Sequence, residues 1–329
     1  MKKLFQLSFM LVVLKLFKQL MLDVNKRVYN HRPGPCRVVE GVEHGSEDIA
    51  LVEDEGIAFV TSGVQYLTPR GKGVKGQIFL YDFKQEAKMT IKENFHPHGI
   101  SHIATSLGII RLFVINHSKS FQHSVFVLDW DRKARVLNLV KIIENEKFIR
   151  PNDLVAVSED AFILSNDGSS QSSLLNMLEI LSMYPFGSIV FYDGKVSHWL
   201  QSSVVSPNGI ALDRERTHLI VSHINSELIS IGYFQDYRSL SHVADIPLLT
   251  SADNLYVDKT GAVWTVSVRW AVLRIVFSKG YRSWEISEPF ADDGRLISSS
   301  SIAVPYNNQL LIGSVCRQLV HCEIRPETI

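Results

Sequence analysis

The sequence predicts an all-β fold, a six-bladed β-propeller with a short helical insertion and an N-terminal hydrophobic helix. The main observation is a polar residue directly before a short apolar, often β-branched run, a pattern that recurs six times along the chain. Its members are Asp48, His98, Asn152, Asn208, Asn254 and Ser301, separated by 50, 54, 56, 46 and 47 residues. A repeat of about fifty residues, each holding several short strands, is typical of a β-propeller.

Length and charge limit the function classes. The chain has 329 residues, with 34 basic and 34 acidic side chains and no long run of either sign. A nucleic acid is therefore not expected as a partner. This length would allow two ordinary domains, but the repeat occupies nearly all of residues 36–329. We therefore predict one propeller domain over that range.

Residues 1–22 have the character of a targeting segment. Two lysines precede the apolar run 4–14, whose length suits the hydrophobic region of a secretory signal. No alanine occurs before Ala50 to mark a cleavage site, which favours an uncleaved signal anchor. A cleaved signal peptide and a helix lying on the bilayer stay open as alternatives, because Lys15 and Lys18 make the run short for a membrane span. The expected location is the secretory pathway, membrane-associated, with the globular part lumenal or extracellular.

The cysteines lie at informative places. Residues 23–35, with two prolines and a glycine, are predicted to link the anchor to the propeller. Cys36 directly precedes the first repeat and Cys322 follows the last, so a disulfide between them would close the ring of blades. In the chain-entropy model such a long loop stabilises the fold by about 5 kcal/mol, and a secretory route provides the oxidising compartment. Cys316 is expected to stay a free, buried thiol.

Within the repeats, strand-length apolar runs alternate with turn residues. Hairpins are predicted at 53–56, 258–261 and 307–309. Between Ser169 and Tyr184 the apolar residues recur at helical spacing instead. We predict a helical insertion there that caps one face of the propeller, with an apolar side that lines a pocket or contacts a membrane.

The recurring polar residues suggest a metal site. In a propeller the first strand of each blade lines the central channel, so residues at the strand entrances converge on one axis. The set consists of Glu47, Asp48, Asn152, Asp153, Asn208, Asp253 and Asn254. Carboxylate and amide oxygens are calcium ligands, whereas zinc prefers nitrogen and sulfur. Asn and Asp also cap strands and turns, which is the alternative for any single position, but recurrence in register favours a metal.

Two of the twelve histidines are placed for chemistry. His98 begins a repeat at the channel mouth, and His117 ends the following strand. Since adjacent blade strands run antiparallel, the two rings are expected to meet, leaving one imidazole to take a proton from water. A purely structural pair is the alternative. No Gly-x-Ser-x-Gly motif occurs, which disfavours a serine esterase.

Seven ordered motifs between Cys36 and about Ile324 resemble those of the paraoxonase/arylesterase family. They are Gly45-Ser46-Glu47-Asp48, Pro97-His98-Gly99-Ile100-Ser101, Asn116-His117, Asn152-Asp153-Leu154-Val155-Ala156-Val157, Asn208-Gly209-Ile210, Asp253-Asn254, and Leu311-Ile312-Gly313-Ser314-Val315 continuing to Cys322-Glu323. The resemblance implies a six-bladed propeller with two calcium ions (Ca2+) in its channel that hydrolyses lactones and aryl esters, often with a retained N-terminal hydrophobic segment.

The resemblance also implies roles for individual residues. The ligands of the catalytic calcium would be Glu47, Asn152, Asn208, Asp253 and Asn254. The structural calcium would be held by Asp48, Asp153 and the backbone carbonyl of Ile100. His98 and His117 would form the catalytic dyad, and Cys36 with Cys322 the ring-closing disulfide.

Two positions depart from the family pattern. Gly168 stands where the family usually has a histidine, and Val266-Ser267-Val268 replaces a usual Gly-Cys-His. The leading hypothesis is a calcium-dependent hydrolase of small apolar esters or lactones. The alternative, motivated by these departures, is a membrane-tethered assembly factor or chaperone with structural calcium and a membrane-protein partner. Asn116 begins a glycosylation sequon, but its place in the candidate active-site strand argues against a glycan.

Overall fold

The computed structural model describes residues 27–64, 74–84, 95–118, 122–267 and 270–325. In these residues the chain forms six antiparallel sheets around a central channel, which confirms the predicted propeller. The predicted anchor, residues 1–22, lies outside the described part. Among the residues that are described, no helix has the length and hydrophobicity to cross a membrane.

The blades follow one another along the chain. Blade 1 contains β2 (Ile49–Val52), β3 (Ile57–Ser62) and β4 (Gln77–Asp82). Blade 2 contains β5 (Pro97–Ala104), β6 (Ile110–His117), β7 (His123–Asp131) and β8 (Val136–Glu144). Blade 3 contains β9 (Pro151–Ala156), β10 (Phe162–Asn166), β11 (Gly187–Tyr192) and β12 (Ser197–Val204).

The second half repeats this order. Blade 4 contains β13 (Pro207–Leu212), β14 (His218–His223), β15 (Leu228–Phe234) and β16 (Leu240–Pro247). Blade 5 contains β17 (Ala252–Val257), β18 (Val263–Ser267), β19 (Ala271–Phe277) and β20 (Trp284–Ala291). Blade 6 contains β21 (Ser300–Tyr306), β22 (Gln309–Ser314), β23 (Val320–Glu323) and, from the other end of the chain, β1 (Cys36–Val38).

Two short helical segments between strands are defined in the described part of the chain. The predicted insertion is helix α1 (Ser173–Ser182), between β10 and β11. It begins at the end of the blade where β9 starts, since Asn166 pairs with Pro151. The helix therefore lies at the same end of the channel as the polar strand entrances. A 3-10 turn (Lys279–Tyr281) joins β19 to β20.

The inner strands β2, β5, β9, β13, β17 and β21 contact one another in a closed ring. The apolar residues that follow each polar entrance pack between neighbouring blades. One such cluster joins Phe59 of blade 1 to Leu112 and Trp130 of blade 2, with Phe59 and Trp130 ring centroids 5.3 Å apart. The packing of blade on blade fixes the radius of the channel, and with it the separation of the residues at its mouth.

The ring is closed at blade 6 by strand pairing and by a disulfide. Cys36 of β1 lies opposite Cys322 of β23, and the two form the predicted bond with Cα atoms 4.0 Å apart. The segment before β1 is also attached, since Glu323 N donates to Pro35 O and Arg325 N to Pro33 O, both at 2.9 Å. Residues of the predicted linker thus lie against the propeller.

Candidate functional site in the central channel

The seven polar residues at the strand entrances meet inside one end of the channel. All are buried, between 1% and 7% exposed: Glu47, Asp48, Asn152, Asp153, Asn208, Asp253 and Asn254. Asn254 Nδ2 donates to Glu47 Oε1 at 3.0 Å and to the Glu47 carbonyl at 3.1 Å. Asn208 hydrogen-bonds Asp253. Blades 1, 4 and 5 thus contribute to one polar cluster.

Two glycines bring the inner strands close enough for this. A Cβ atom on Gly99 would lie 2.7 Å from Asp153 Cα, and one on Gly209 would lie 2.5 Å from Asn254 Cα. Real side chains do not tolerate such distances to a neighbouring backbone. The glycines in the His98-Gly99 and Asn208-Gly209 motifs therefore allow successive inner strands to converge at the site.

Asp48 and Asp153 each clamp two blades. Asp48 accepts from Ile49 N at 2.8 Å and, in the next blade, from Ile100 N at 2.7 Å. Asp153 accepts from Leu154 N at 2.6 Å and, in its next blade, from Ile210 N at 2.8 Å. Each carboxylate oxygen keeps a second lone pair after these bonds.

Hydroxyl groups on the second strands form a belt around the site that the sequence reasoning missed. They accept from or donate to the backbone of the entrance residues. Thr61 Oγ1 accepts from Asp48 N at 3.0 Å, Ser165 Oγ donates to Asn208 O at 2.5 Å, and Ser222 Oγ donates to Asp253 O at 2.7 Å. The recurrence of Ser or Thr in the second strand of every blade except blade 2 is the sequence signal that would have found them.

Four buried oxygens of the cluster have no hydrogen-bond donor among the described residues. They are Glu47 Oε2, Asn152 Oδ1, Asn208 Oδ1 and Asn254 Oδ1. A buried acceptor left without a partner costs about 1–3 kcal/mol, so four in one place call for a ligand that supplies positive charge. Hard cations such as calcium bind this set of oxygen donors.

Ionisable side chains alone do not form a metal site among the described residues. In the described part of the chain, no three His, Cys, Asp or Glu side chains are grouped closely enough to hold a metal ion. A cation at this place would depend on the amide oxygens of Asn152, Asn208 and Asn254 beside the carboxylates. Amide oxygens are common in calcium sites and rare in zinc sites.

The carboxylates are held in an unfavourable electrostatic environment. Burial, followed by the charge of Glu47, raises the pKa of Asp48 to about 7. Burial and the charge of Asp48 raise the pKa of Asp153 well above its usual range, and burial and Glu47 do the same for Asp253. A proton or a cation must therefore neutralise part of this cluster.

Three histidines form a hydrogen-bonded row that starts at the cluster. His98 Nε2 lies 3.3 Å from Glu47 Oε1, and His98 Nδ1 lies 2.8 Å from His117 Nε2. His117 Nδ1 in turn lies 2.8 Å from His123 Nδ1. The predicted contact of His98 with His117 is present, and His123 is an addition that the sequence reasoning missed.

The two inner histidines have opposite pKa shifts. Burial lowers the pKa of His98, but the charge and hydrogen bond of Glu47 outweigh it, so the net shift is upward. Burial, then the positive charge of His98 and His123, lowers the pKa of His117 well below its usual value. His98 is therefore the stronger base, and it is the one that faces the polar cluster.

Gly168 and Val266, two residues at which the sequence departs from the family pattern, both lie in closely packed surroundings. A Cβ atom on Gly168 would lie 2.5 Å from Glu179 Oε2 and 2.8 Å from Asn176 Nδ2, both on helix α1. Glu179 is held in place because its carboxylate accepts from Ser169 N and Ser169 Oγ, at 3.0 and 2.6 Å. The helix thus occupies the space beside position 168. Val266, of the second departure, is fully buried in β18.

The remaining candidates are placed as follows. Asn116 is 4% exposed and its Oδ1 accepts from His96 N at 2.7 Å, which leaves no room for a glycan on the folded chain. Cys316 is a free thiol of intermediate exposure in the loop after β22, more accessible than expected.

Comparison with known proteins gives relatives over nearly the whole chain. Mechanosensory abnormality protein 6 of Caenorhabditis elegans is 30% identical over 96% of this chain and 93% of that protein. Serum paraoxonase/arylesterase 2 of Gallus gallus is 28% identical over 88% of each chain.

A solved structure shares the fold. Regucalcin from Agrobacterium tumefaciens, described as a calcium-binding protein, superposes with a TM-score of 0.59 and 13% identity over 90% of this chain and 96% of that one. The model of the Arylesterase family matches residues 28–324. This chain therefore belongs to the arylesterase, or paraoxonase, family.

Proposed function

We propose that this protein is a calcium-dependent hydrolase of carboxylic esters, of the arylesterase and lactonase type. The observation that carries the proposal is the group of four buried oxygens that have no partner among the described residues, directly beside a hydrogen-bonded histidine pair. The first supports a bound cation and the second supports a base next to it. Family relatives named as arylesterases and lactonases support the class of reaction.

The residues present fit the two calcium ions that the family implies. Glu47, Asn152, Asn208, Asp253 and Asn254 would hold the first, whose role when bound is to polarise the ester carbonyl and stabilise the negative charge that develops on its oxygen. A second ion would be held by Asp48, Asp153 and the carbonyl of Ile100, where the carboxylates already clamp neighbouring blades. The donors are oxygens throughout, as calcium prefers.

His98 is the proposed base. Its Nε2 faces the polar cluster, and Glu47 raises its pKa, which strengthens it as a proton acceptor. His117 holds the ring through His98 Nδ1 and fixes its orientation. In this arrangement His98 takes the proton from a water molecule as that water attacks the ester carbon.

Small apolar esters and lactones are the proposed substrates. Helix α1 lies at the channel mouth and carries exposed Leu174, Leu175 and Leu178, which supply apolar surface near the site. The disulfide fits a secreted or lumenal protein. Attachment to a membrane through residues 1–22 is part of the proposal.

Hydrolysis of phenyl acetate and simple lactones by the purified protein tests the function. We expect turnover with calcium, loss of turnover with a chelator, and a decrease of at least about a hundredfold in Glu47→Gln. Calcium should also raise the thermal midpoint of the wild type but not of Glu47→Gln. Glu285→Gln, which changes an exposed carboxylate, is the matched control. A wild type that hydrolyses no better than Glu47→Gln would sink the proposal.

A second candidate function is a membrane-tethered assembly factor with structural calcium and little hydrolysis. It is favoured by the relative named for a mechanosensory abnormality and by the altered position 168. The two functions separate in a complementation assay in cells that lack this protein. An assembly factor should tolerate His98→Gln, which removes the base, but not Asp153→Ala, which removes a clamp between blades. Failure of His98→Gln to complement would favour the hydrolase.

A further inference from the structure

A hydrogen-bonded serine and histidine lie outside the central channel, on the second and third strands of blade 4. Ser230 Oγ of β15 lies 2.7 Å from His223 Nε2, and His223 Nδ1 lies 3.0 Å from the carbonyl oxygen of Val205. A carbonyl oxygen only accepts, so the hydrogen of the neutral His223 ring is on Nδ1. Nε2 then carries the lone pair and accepts from the Ser230 hydroxyl group. This is the order of hydrogen bonds in which a histidine can act as a base toward a serine.

The register of blade 4 brings the two side chains together. His223 lies opposite Leu228 in the pairing of β14 with β15, and Val221 lies opposite Ser230. Positions 223 and 230 are therefore diagonal neighbours on the same face of the sheet. Ser230 lies within a strand and not on the strand-to-helix turn of a Gly-x-Ser-x-Gly motif. The absence of that motif therefore does not exclude this serine.

The pair faces a cavity of about 490 Å³ between blades 3 and 4. Ser230 is partly exposed, whereas His223 behind it is buried. Much of the wall is apolar, with contributions from Val204, Leu228 and Leu240. A volume of this size is in the range of small-molecule sites, which are mostly apolar with a few polar groups. The cavity therefore suits a small apolar molecule in contact with the Ser230 hydroxyl group.

The charges around His223 suit a base. Burial lowers its pKa, while the hydrogen bond to Val205 and the negative charge of Asp245 act in the opposite direction. The net shift is downward, so the ring is neutral at pH 7 and its lone pair is available. Asp245 of β16 lies opposite Ser230, and its Oδ2 lies 3.8 Å from His242 Nε2. The charge of Asp245 favours the imidazolium that forms when the serine gives up its proton.

We propose that Ser230 is a second nucleophile of this protein, acylated by small apolar esters with His223 as its base and without calcium. Ser230 Oγ attacks the ester carbon as its proton passes to His223 Nε2. The bond to the alcohol oxygen then breaks, and His223 returns the proton to the departing alkoxide. Gln201, which lines the same cavity, supplies an N–H donor for the oxygen on which negative charge develops. Water activated by His223 then hydrolyses the acyl-serine, which releases the acid and restores both side chains.

Covalent labelling of the calcium-loaded protein tests the nucleophile. After incubation with excess diisopropyl fluorophosphate, we expect one phosphoryl adduct per chain, located on Ser230 by peptide mass spectrometry. Labelling should be lost in Ser230→Ala and at least about tenfold slower in His223→Gln. Ser226→Ala is the matched control, because Ser226 lines the same cavity, and its labelling should equal that of the wild type. A wild type without an adduct on Ser230 would overturn the proposal, and so would equally fast labelling of Ser230 in the urea-unfolded chain.

Ester hydrolysis separates this site from the channel. With p-nitrophenyl acetate we expect a burst of about one nitrophenol per chain that persists in Glu47→Gln and disappears in Ser230→Ala. Ser230→Ala should keep the calcium-dependent hydrolysis of phenyl acetate, since Ser230 is not part of the channel cluster. A burst without calcium-dependent turnover would refute the channel hydrolase alone. Calcium-dependent turnover without a burst would refute the proposed nucleophile alone.

Discussion

Removing the ring-closing disulfide should lower the stability of the whole propeller. The change is Cys36→Ala with Cys322→Ala, and the bond joins residues 286 positions apart. In the chain-entropy model a loop of that length restricts the unfolded chain by about 5–6 kcal/mol at 25 °C. The pairing of β1 with β23 covers only three residue pairs, so it offers little to replace the bond. We expect the free energy of unfolding to fall by several kcal/mol.

Urea unfolding of the calcium-loaded protein, followed by tryptophan fluorescence and circular dichroism, measures this change. Cys316→Ala is the control, because it removes the free thiol and leaves the disulfide intact. The reasoning would be refuted if the double variant lost less than about 1 kcal/mol, the size of an ordinary point substitution. Closure would then depend on blade packing and not on the covalent bond.

Three other changes probe the site and its surroundings. Gly99→Ala should lower the free energy of unfolding in urea by about 1–3 kcal/mol, because the added methyl group collides with the backbone of Asp153. The same collision should abolish stabilisation by calcium. Wild-type stability in this variant would contradict the prediction. Glu179→Ala should speed hydrogen exchange in helix α1 while global unfolding changes little, since the bonds that are lost are local ones to Ser169 and Ser170; unchanged exchange in the helix would count against it. In chelator, the stability advantage of wild type over Asp48→Asn should shrink as pH rises from about 4 to 7. The folded pKa of Asp48 lies above the unfolded value of 3.8, so the folded state loses a proton in that window that the unfolded state has already lost; a constant gap across the window would refute the pKa shift.

Much of the candidate site follows from the sequence because the repeat fixes where equivalent residues go. A recurrence near fifty residues places every strand entrance at one end of the channel, so the meeting of Glu47 with Asn254, far apart in sequence, could be predicted. The contact of His98 with His117 followed from antiparallel pairing within one blade. The functional roles of these residues stay predictions.

Other features depended on distances that a sequence pattern does not contain. His123 meets His117 because the hairpin between them has a register that places the two residues opposite each other, which loop length alone does not fix. The reason for a glycine at position 168 is the carboxylate of Glu179, brought there by the folding back of helix α1. Both contacts depend on where the side chains lie in three dimensions, which a sequence pattern does not specify.

By itself, then, the sequence determined the number of blades, the channel end at which the polar residues gather, and the partner of Cys36, because each depends only on the order of repeats along the chain. The tertiary structure decided that β1 completes blade 6, that four oxygens find no donor among the described residues, and that a third histidine extends the pair. These depend on how closely the inner strands approach, and blade packing sets that distance.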